Sequence, residues 1–438
     1  MFSQDSWAQN IITLSQAINN GLINRKSISA SKLDVSISKM QTQALYRKYW
    51  PQVSAEYTYL YNPILQTSIL PIGIFNPTYP IDATKSVQFG TKWTQTAGLT
   101  ASQPLFDLSV KRHINEARLQ ERITALSQEQ SECDLAYSVA QTYIDIYLEE
   151  SKIQSLIADT NRTYISYVLL KNKFDEKRLL KSDLNKSKIN HNNAVQLLSD
   201  EVSQLIENKV YLLFLMGEKE IEKWDFEIDT SFSGKYLGII NLQAINSEQL
   251  PDLQQLSLQS ELTYLQAKSE KTKQLPSLNF KGFLGANQYA NTFNPVAANS
   301  WFGLSYLGLD AKFPLLTGEN QRNKIQQLKL QSNQFLLQKE DKSLQYVKDA
   351  ITANLKMDHL IKQLKTQREN ISLSLESIEI FQARVKEGQE SSSNLNLEEA
   401  NIQLLEADYE TNNRQFWVYW LNYLKASGQL SVLWKLKE

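Results

Sequence analysis

The pattern of apolar and polar positions along the chain switches between two periods. From residue 52 to residue 61, apolar and aromatic side chains alternate with polar ones, as at Val53, Tyr57 and Tyr61. Alternation with a period of two predicts a strand with one apolar face and one polar face. Strands of this kind are predicted at residues 52–61, 87–103, 277–287 and 300–313.

The predicted strand at 87–103 is long for a water-soluble protein, in which strands usually have about 5–6 residues. Its length suits a tilted membrane strand of about 9–11 residues that continues into water. Four of the ten prolines in the chain, Pro63, Pro71, Pro77 and Pro80, lie between residues 62 and 86. That segment is therefore predicted to be a loop.

Helical periodicity fills most of the remaining chain. Nine residues at alternating spacings of four and three form one seam: Leu119, Ile123, Leu126, Gln130, Cys133, Tyr137, Ala140, Ile144 and Tyr147. Such a heptad seam predicts helices that pack in a left-handed supercoil. Neither glycine nor proline occurs between Pro104 and Gly217, so a long helix is predicted at about 106–174 and a return helix at about 183–216. Shorter helices are predicted at 11–25 and 28–49.

The second half of the chain repeats the order of elements in the first. The segment from Gly98 to Phe106 recurs as Gly308 to Leu316, 210 residues later. Each repeat is predicted to contain a short helix, a strand, a loop, a strand, a very long helix and a return helix. In the second repeat the helices are predicted at 252–274, 318–385 and 394–424.

The repeat predicts the domain organisation. The predicted parts are a first repeat at 1–216 with a long helical hairpin at about 105–216, an intervening segment at 217–251, a second repeat at 252–424 with a hairpin at about 317–424, and a C-terminal tail at 425–438.

Composition excludes several classes of function. The 46 basic and 47 acidic residues nearly cancel, which is unlike a nucleic-acid-binding protein. The single cysteine, Cys133, excludes an internal disulfide and a cysteine metal cluster. The sequence has no glycine-rich phosphate loop, no nucleophile elbow and no His/Cys cluster, so we expect neither an enzyme nor a cofactor or metal. The three histidines are expected to lie on the surface or to have their hydrogen bonds satisfied within the protein: His113, His191 and His359.

Four strands are too few to close a barrel, and an open sheet in lipid would leave costly unpaired edges. Three copies would pool twelve strands, which is within the range of outer-membrane barrels. The predicted fold is therefore mainly helical with membrane β-structure: a trimeric 12-stranded barrel, four strands per protomer, continued by a long α-helical barrel. The aromatic residues Tyr57, Phe89, Trp93 and Trp301 are candidates for its lipid-facing belt.

Six segments, taken in order, resemble the TolC-like outer-membrane efflux proteins. They are Leu14–Ile18 for the first helix, Trp50–Ser54 and Leu275–Leu278 for the helix-to-strand junctions, Gly98–Phe106 and Gly308–Leu316 for the strand-to-helix junctions, and Asn422–Leu430 for the C-terminal signature. The resemblance implies a homotrimeric exit duct, with its barrel in the outer membrane and its helices in the periplasm. It also implies an equatorial belt at 217–251 and 425–438, a periplasmic adaptor and an inner-membrane pump as partners, and passive export in an efflux or type I secretion system.

The resemblance also suggests functional positions at the two hairpin tips. Family members carry an Arg/Tyr-x-x-x-Gly turn there, matched by Arg384 and Gly388, whereas Lys177 stands where the first tip should have glycine. Candidate adaptor contacts are Lys177, Arg178, Arg384 and Gly388. Candidate aperture residues are Asp183, Gln389, Glu390 and Asn394, because three-fold symmetry turns one acidic side chain into a ring that attracts cations.

An alternative is a soluble, coiled-coil-rich scaffold whose strands form a small sheet. The segment that begins Met1-Phe2-Ser3 has neither the basic nor the apolar region of a signal peptide. The chain is therefore expected to be either cytosolic or an already processed outer-membrane protein, and the resemblance favours the second. The exported substrate, which could be a drug, a metal ion or a protein, stays open at this point.

Overall fold

The computed structural model describes residues 11–72, 78, 80–222, 224–231, 250–294, 301–314 and 318–435. The predicted equatorial belt, at 217–251 and 425–438, lies in part outside these described residues. So do Pro77, Pro295 and the end of the repeated segment Gly308–Leu316.

The described elements follow one another as the sequence patterns predict over most of the chain. In chain order they are β1 (Ile11–Ile12), α1 (Leu14–Asn24), α2 (Lys26–Tyr46), a 3-10 turn (Arg47–Tyr49), β2 (Gln52–Tyr61), β3 (Gln66–Pro71), β4 (Thr84–Phe89), β5 (Trp93–Phe106), α3 (Leu108–Asp175), α4 (Lys181–Met216), β6 (Glu227–Ile228), α5 (Pro251–Thr272), β7 (Ser277–Ala290), β8 (Trp301–Lys312), α6 (Gly318–Glu387), α7 (Ser392–Ala426) and α8 (Val432–Lys435).

The chain divides into two compact units. The first comprises residues 1–36, 122–259 and 334–438, and the second comprises residues 37–121 and 260–333. The first unit is helical apart from a two-residue parallel pairing between β1 and β6. The second contains the larger sheet. None of the helices in the described parts of the chain has the length and apolarity needed to cross a bilayer.

The larger sheet has four antiparallel strands in the order β2-β5-β7-β8. Its register places Tyr57 opposite Ala97, Trp93 opposite Ala290, and Gln288 opposite Trp301. Because side chains alternate between faces, the odd positions of β2, β5 and β8 share one face with the even positions of β7. Within the described residues, the edge strands β2 and β8 are each paired along one side only.

The prediction of a loop at 62–86 followed by one long strand at 87–103 was wrong. Residues 66–71 and 84–89 instead form a separate antiparallel hairpin, in which Gln66 is paired with Phe89 and Pro71 with Thr84. The long strand is interrupted at Gly90, whose φ of +108° is a conformation that favours glycine. Pro71 ends its strand and Pro63 precedes it, so neither removes a hydrogen bond from the middle of the pairing.

The predicted heptad seam faces the protein interior. None of its nine residues is exposed, and Leu119, Ile123, Ala140 and Ile144 are buried. In the first unit, the small residues Ala136 and Ala140 of α3 are fully buried in the hydrophobic core. Aliphatic side chains such as Leu14 and Ile18 and aromatic ones such as Trp420 and Tyr423 fill the rest of this core.

Candidate functional site

The two hairpin tips close with the same backbone turn. At the end of α3, the N–H of Lys177 donates to the carbonyl of Phe174 at 2.9 Å, and the N–H of Arg178 donates to that of Lys173 at 2.9 Å. At the end of α6, Gly388 donates to Val385 at 3.1 Å and Gln389 donates to Arg384 at 2.9 Å. This pair of bonds is the Schellman ending of a helix, which needs a left-handed residue at its centre.

Lys177 adopts the conformation that glycine would have at the same point. Its φ is +62°, and it is the only non-glycine residue with positive φ in the part of the chain that the structure describes. Gly388 has a φ of +79° at the second tip. The substitution of lysine for the expected glycine therefore keeps the turn, at the cost of a strained backbone.

The four candidate adaptor contacts are all exposed. Lys177, Arg178, Arg384 and Gly388 lie on the surface, and a Cβ at Gly388 would meet nothing within 4 Å. Arg178 pairs with Glu176 at 3.3 Å, and both side chains stay solvent-accessible. The tips thus present basic side chains to solvent, and their role as adaptor contacts stays a prediction.

Hydrogen bonds bring the two tips together. The ammonium of Lys173 donates to the carbonyl of Val385. The hydroxyl of Ser392 donates to Oδ2 of Asp183 at 3.1 Å, and the amide of Asn190 donates to the carbonyl of Asn396 at 3.5 Å. Asp183 lies in the first turn of α4, where a negative charge is favourable. The half-buried Asp183 carboxylate therefore joins the start of α4 to the start of α7.

Glu390 and Asn394 form a second, separate group. Oε1 of Glu390 accepts hydrogen bonds from the backbone N–H of Ser391 at 2.9 Å and from the amide of Asn394 at 2.8 Å. These two bonds lower the pKa of Glu390 below its ordinary value, so its carboxylate stays ionised at neutral pH. Gln389 is exposed beside them. Among the described residues no hydrogen bond or ion pair joins Glu390 to Asp183.

A buried ionic network between α3 and α7 was not identified from the sequence. The guanidinium of Arg162 pairs with Asp159 on its own helix and, at 3.4 Å, with Glu399 on α7. Glu399 is 1% exposed, and the hydroxyl of Ser166 donates to it at 2.6 Å. Burial raises the pKa of Glu399, and the neighbouring Arg162 guanidinium offsets part of this rise. In the sequence alone, charged residues at these positions resemble the solvated face of a helix, so the network was not predicted.

Three of the four candidate belt residues share one face of the larger sheet. Tyr57, Trp93 and Trp301 occupy odd positions of β2, β5 and β8, whereas Phe89 lies in the separate hairpin and does not belong to this face. Trp93 stacks against Tyr59 with ring centroids 5.1 Å apart. Phe89 thus lies outside the sheet that carries the other three, and the lipid contact of all four residues stays a prediction. No group of side chains suited to a metal ion occurs among the described residues.

The chain is similar to known membrane proteins in part of its sequence and in its fold. Residues 246–416 match the family model described as "Outer membrane efflux protein". Among solved structures, a membrane protein from Pseudomonas aeruginosa superposes with a TM-score of 0.76 at 14% identity, covering 95% of this chain and 92% of that chain. No match was found among curated protein sequences.

Two further solved structures are named as outer-membrane proteins. The outer membrane protein VceC from Vibrio cholerae has a TM-score of 0.72 at 12% identity, covering 95% of this chain and 96% of that chain. The open state of the MtrE outer membrane channel from Neisseria gonorrhoeae has a TM-score of 0.71 at 14% identity, covering 95% of this chain and 89% of that chain. These superpositions show the fold, and the family match confirms the resemblance inferred from the sequence.

Proposed function

We propose that this chain, which carries an outer membrane efflux protein domain over residues 246–416, forms the outer-membrane exit duct of a tripartite efflux or type I secretion system. The scaffold alternative is not favoured, because the family match and the channel-like fold both point to a membrane duct. The function is passive transport, so the chain needs no catalytic residues of its own.

The observation that carries this proposal is the four-stranded sheet with two open edges. Along β2 and β8, the outward N–H and C=O groups have no partner strand among the described residues. In a bilayer each unsatisfied backbone group costs several kcal/mol, so the sheet must be completed by other chains. Three copies related by cyclic symmetry would supply twelve strands and leave no edge.

The side chains on this sheet are compatible with lipid. Four leucines of the sheet are at least half exposed in the single chain: Leu99, Leu284, Leu307 and Leu309. All four lie on the same face as Trp93. A contiguous exposed apolar face is unusual for a protein surrounded by water. In the proposed trimer this face meets the bilayer, and Tyr57, Trp93 and Trp301 mark its interfacial belt.

The internal two-fold repeat belongs to the same proposal. Four Schellman turns support the repeat, and each is centred on a residue with positive φ: Lys177 and Gly217 in the first repeat, and Gly388 and Gly428 after the second long helix. The number of residues from Lys177 to Gly217 equals the number from Gly388 to Gly428. We infer that each repeat supplies one strand pair and one helical hairpin to the duct. The domain boundaries at 1–216, 217–251, 252–424 and 425–438 follow from this repeat.

We also propose the partners and location that the family implies. The trimer would sit in the outer membrane with its helices in the periplasm, after removal of a signal peptide. The exposed tips at Lys177, Arg178, Arg384 and Gly388 would contact a periplasmic adaptor, which links the duct to an inner-membrane pump. The exported substrate would be selected by the pump.

The aperture is assigned to the acidic residues near the tips. Asp183 and Glu390, with Gln389 and Asn394 beside Glu390, would form rings around the narrow end of the duct. We expect the double variant Asp183→Ala, Glu390→Ala to show a higher single-channel conductance than the wild type in planar lipid bilayers. Glu207→Ala, which removes an exposed charge on α4, serves as a control.

Two results would count against these assignments. A double variant with the conductance of the wild type would reject Asp183 and Glu390 as aperture residues. Purified protein that inserts into bilayers but never conducts, in any variant, would reject the duct itself.

A further inference from the structure

A cavity of about 260 Å³ lies between α3, α4 and α7 of the first unit, in the helical part of the chain and outside the strands. It is slightly smaller than typical ligand pockets, which start at roughly 300 Å³. It is separate from the hairpin tips, and none of the candidate aperture residues lines it. A ligand in this cavity therefore does not depend on the proposed duct function.

The cavity carries an excess of negative charge. Its lining includes two cationic residues, Lys152 and Arg414, and five acidic ones: Glu149, Asp159, Glu201, Glu406 and Glu410. Lys152 is engaged with Glu201 at 2.5 Å, and Arg414 with Asp145 at 2.9 Å. No ion pair among the described residues engages Glu406 or Glu410, although Ser155 forms a hydrogen bond with the Glu406 carboxylate.

Glu149 has a buried carboxylate oxygen that lacks a hydrogen-bond donor. The residue is 3% exposed, and its Oε1 accepts a hydrogen bond from the amide of Asn208 at 2.7 Å and lies 3.5 Å from a guanidinium nitrogen of Arg414. Its Oε2 is buried and has no hydrogen-bond partner. A buried carboxylate oxygen without a donor carries a desolvation cost that a bound N–H group would remove.

Beside the charged residues and the polar Ser155, Gln403 and Thr411, the lining has an apolar part. Leu148, Leu156, Leu197 and Ala407 contribute side chains to the same cavity. These residues offer no ligands to a metal ion, and no metal-binding group was found among the described residues. They do suit the hydrocarbon part of an organic ligand. The lining as a whole combines surplus carboxylates with an aliphatic wall.

We propose that this cavity binds a small organic cation, a protonated amine whose N–H groups donate to Glu149. Its hydrocarbon part packs against Leu156 and Leu197, and Glu406 adds negative charge to the same cavity. The ammonium supplies the donor that Oε2 of Glu149 lacks. It also neutralises part of the surplus negative charge. The aliphatic wall distinguishes such a ligand from an inorganic cation, which would keep its water shell.

Binding of this cation is coupled to pH. Burial raises the pKa of Glu149 and of Glu406 to about 7 in each case. A bound ammonium favours the ionised carboxylates, so binding releases protons and strengthens as the pH rises from 6 to 8. The other charged groups facing the pair are Asp145, Lys152, Asp159 and Arg162 on α3, Glu201 on α4, and Glu410 and Arg414 on α7.

The test is calorimetric titration of the purified full-length protein in detergent with phenethylammonium chloride. We expect saturable binding of one ligand per chain, tighter at pH 8 than at pH 6. Phenethyl alcohol, which has the same ring and chain but no charge, should bind far more weakly. The double variant Glu149→Gln, Glu406→Gln should bind roughly tenfold more weakly or worse, because its neutral amides accept only weaker, uncharged hydrogen bonds from the ammonium.

Glu207→Gln is the matched control, since it removes one exposed carboxylate of α4 outside the cavity and should bind like the wild type. If the double variant loses its helical circular dichroism, Glu406→Gln alone takes its place. Absence of saturable binding, equal affinity in the variant, or equal affinity for the alcohol would each overturn the proposal. Potassium chloride and choline chloride, compared at matched ionic strength, test for an inorganic cation. If only potassium chloride displaces phenethylammonium, the cavity binds an inorganic cation, and this result would also overturn the proposal.

Discussion

The substitutions Gly217→Ala and Gly388→Ala separate two contributions to the free energy of unfolding. One is the strain of a left-handed backbone conformation, and the other is steric overlap of the new Cβ with neighbouring atoms. Both glycines centre the same helix-ending turn, with φ values of +75° and +79°. A Cβ at Gly388 would meet nothing within 4 Å. At Gly217 it would lie 2.8 Å from the backbone nitrogen of Arg25 and 2.8 Å from the carbonyl carbon of Asn24.

The magnitudes depend on these surroundings. A left-handed L-residue costs about 1–2 kcal/mol, of which about 0.4–1 kcal/mol is offset by the lower entropy of the unfolded chain. Gly388→Ala should therefore destabilise by about 0.5–1 kcal/mol. Gly217→Ala adds backbone overlap at the junction of α1 and α2, and overpacking typically costs about 1–3 kcal/mol, so we expect about 2–4 kcal/mol in total.

The assay is thermal unfolding followed by far-ultraviolet circular dichroism. At about 2.1 cal/mol/K per residue, a chain of 438 residues loses roughly 1 °C of Tm per kcal/mol. Gly388→Ala should lower the Tm by about 1 °C or less, and Gly217→Ala by about 2–4 °C. Equal shifts in the two variants would refute the reasoning, because they would mean that the contacts of Gly217 with Arg25 and Asn24 contribute nothing.

Three further predictions concern the first tip, the sheet and the acidic cavity. Lys177→Gly should raise the Tm slightly, since glycine adopts a φ of +62° without strain. Gly98→Ala should destabilise the pairing of β5 with β7, because its Cβ would lie 2.6 Å from Cζ of Phe283; amide exchange in these strands as slow as in the wild type would contradict this. Stability should fall as the pH rises from about 4.5 to about 7, because the raised pKa values of Glu149 and Glu406 make the folded state bind more protons than the unfolded one. Denaturant titrations at several pH values check this, and the slope should decrease in the Glu149→Gln, Glu406→Gln variant.

The pattern of apolar and polar residues was sufficient to predict the elements that depend only on the sequence of one segment. The alternation at 52–61 coincides with β2, and Gly217 ends α4 as predicted. The seam from Leu119 to Tyr147 faces inward because its spacing places every member on one side of a helix. In each case the information lies in the spacing of neighbouring side chains.

Other features depend on pairing that a single segment does not reveal. The alternation continued across residues 87–103, yet Gly90 turns the backbone, and residues 84–89 pair with 66–71 rather than with β7. For this reason Phe89, predicted on one strand with Trp93, lies instead in the separate hairpin. At the first tip, the absence of glycine was visible in the sequence, but only the structure shows that Lys177 takes its conformation.

The buried charges were the hardest features to predict. Asp159, Arg162 and Glu399 occur in polar helical segments that resemble a solvated surface, and only the packing of α3 against α7 shows that they are buried. The same applies to the cavity at Glu149 and Glu406, whose residues come from three separate helices. A charge pattern along one helix does not report which neighbour covers it.

The mass of the intact complex in detergent tests the central claim most directly. If β2 and β8 are completed by neighbouring copies, native mass spectrometry of the purified protein should show a species of three chains of 50.3 kDa each. This species should persist on dilution and be lost when the edge strands are disrupted by proline, for example in Ser54→Pro. A stable, folded single chain in detergent, with the exposed edge of β2 protected from amide exchange, would contradict the claim.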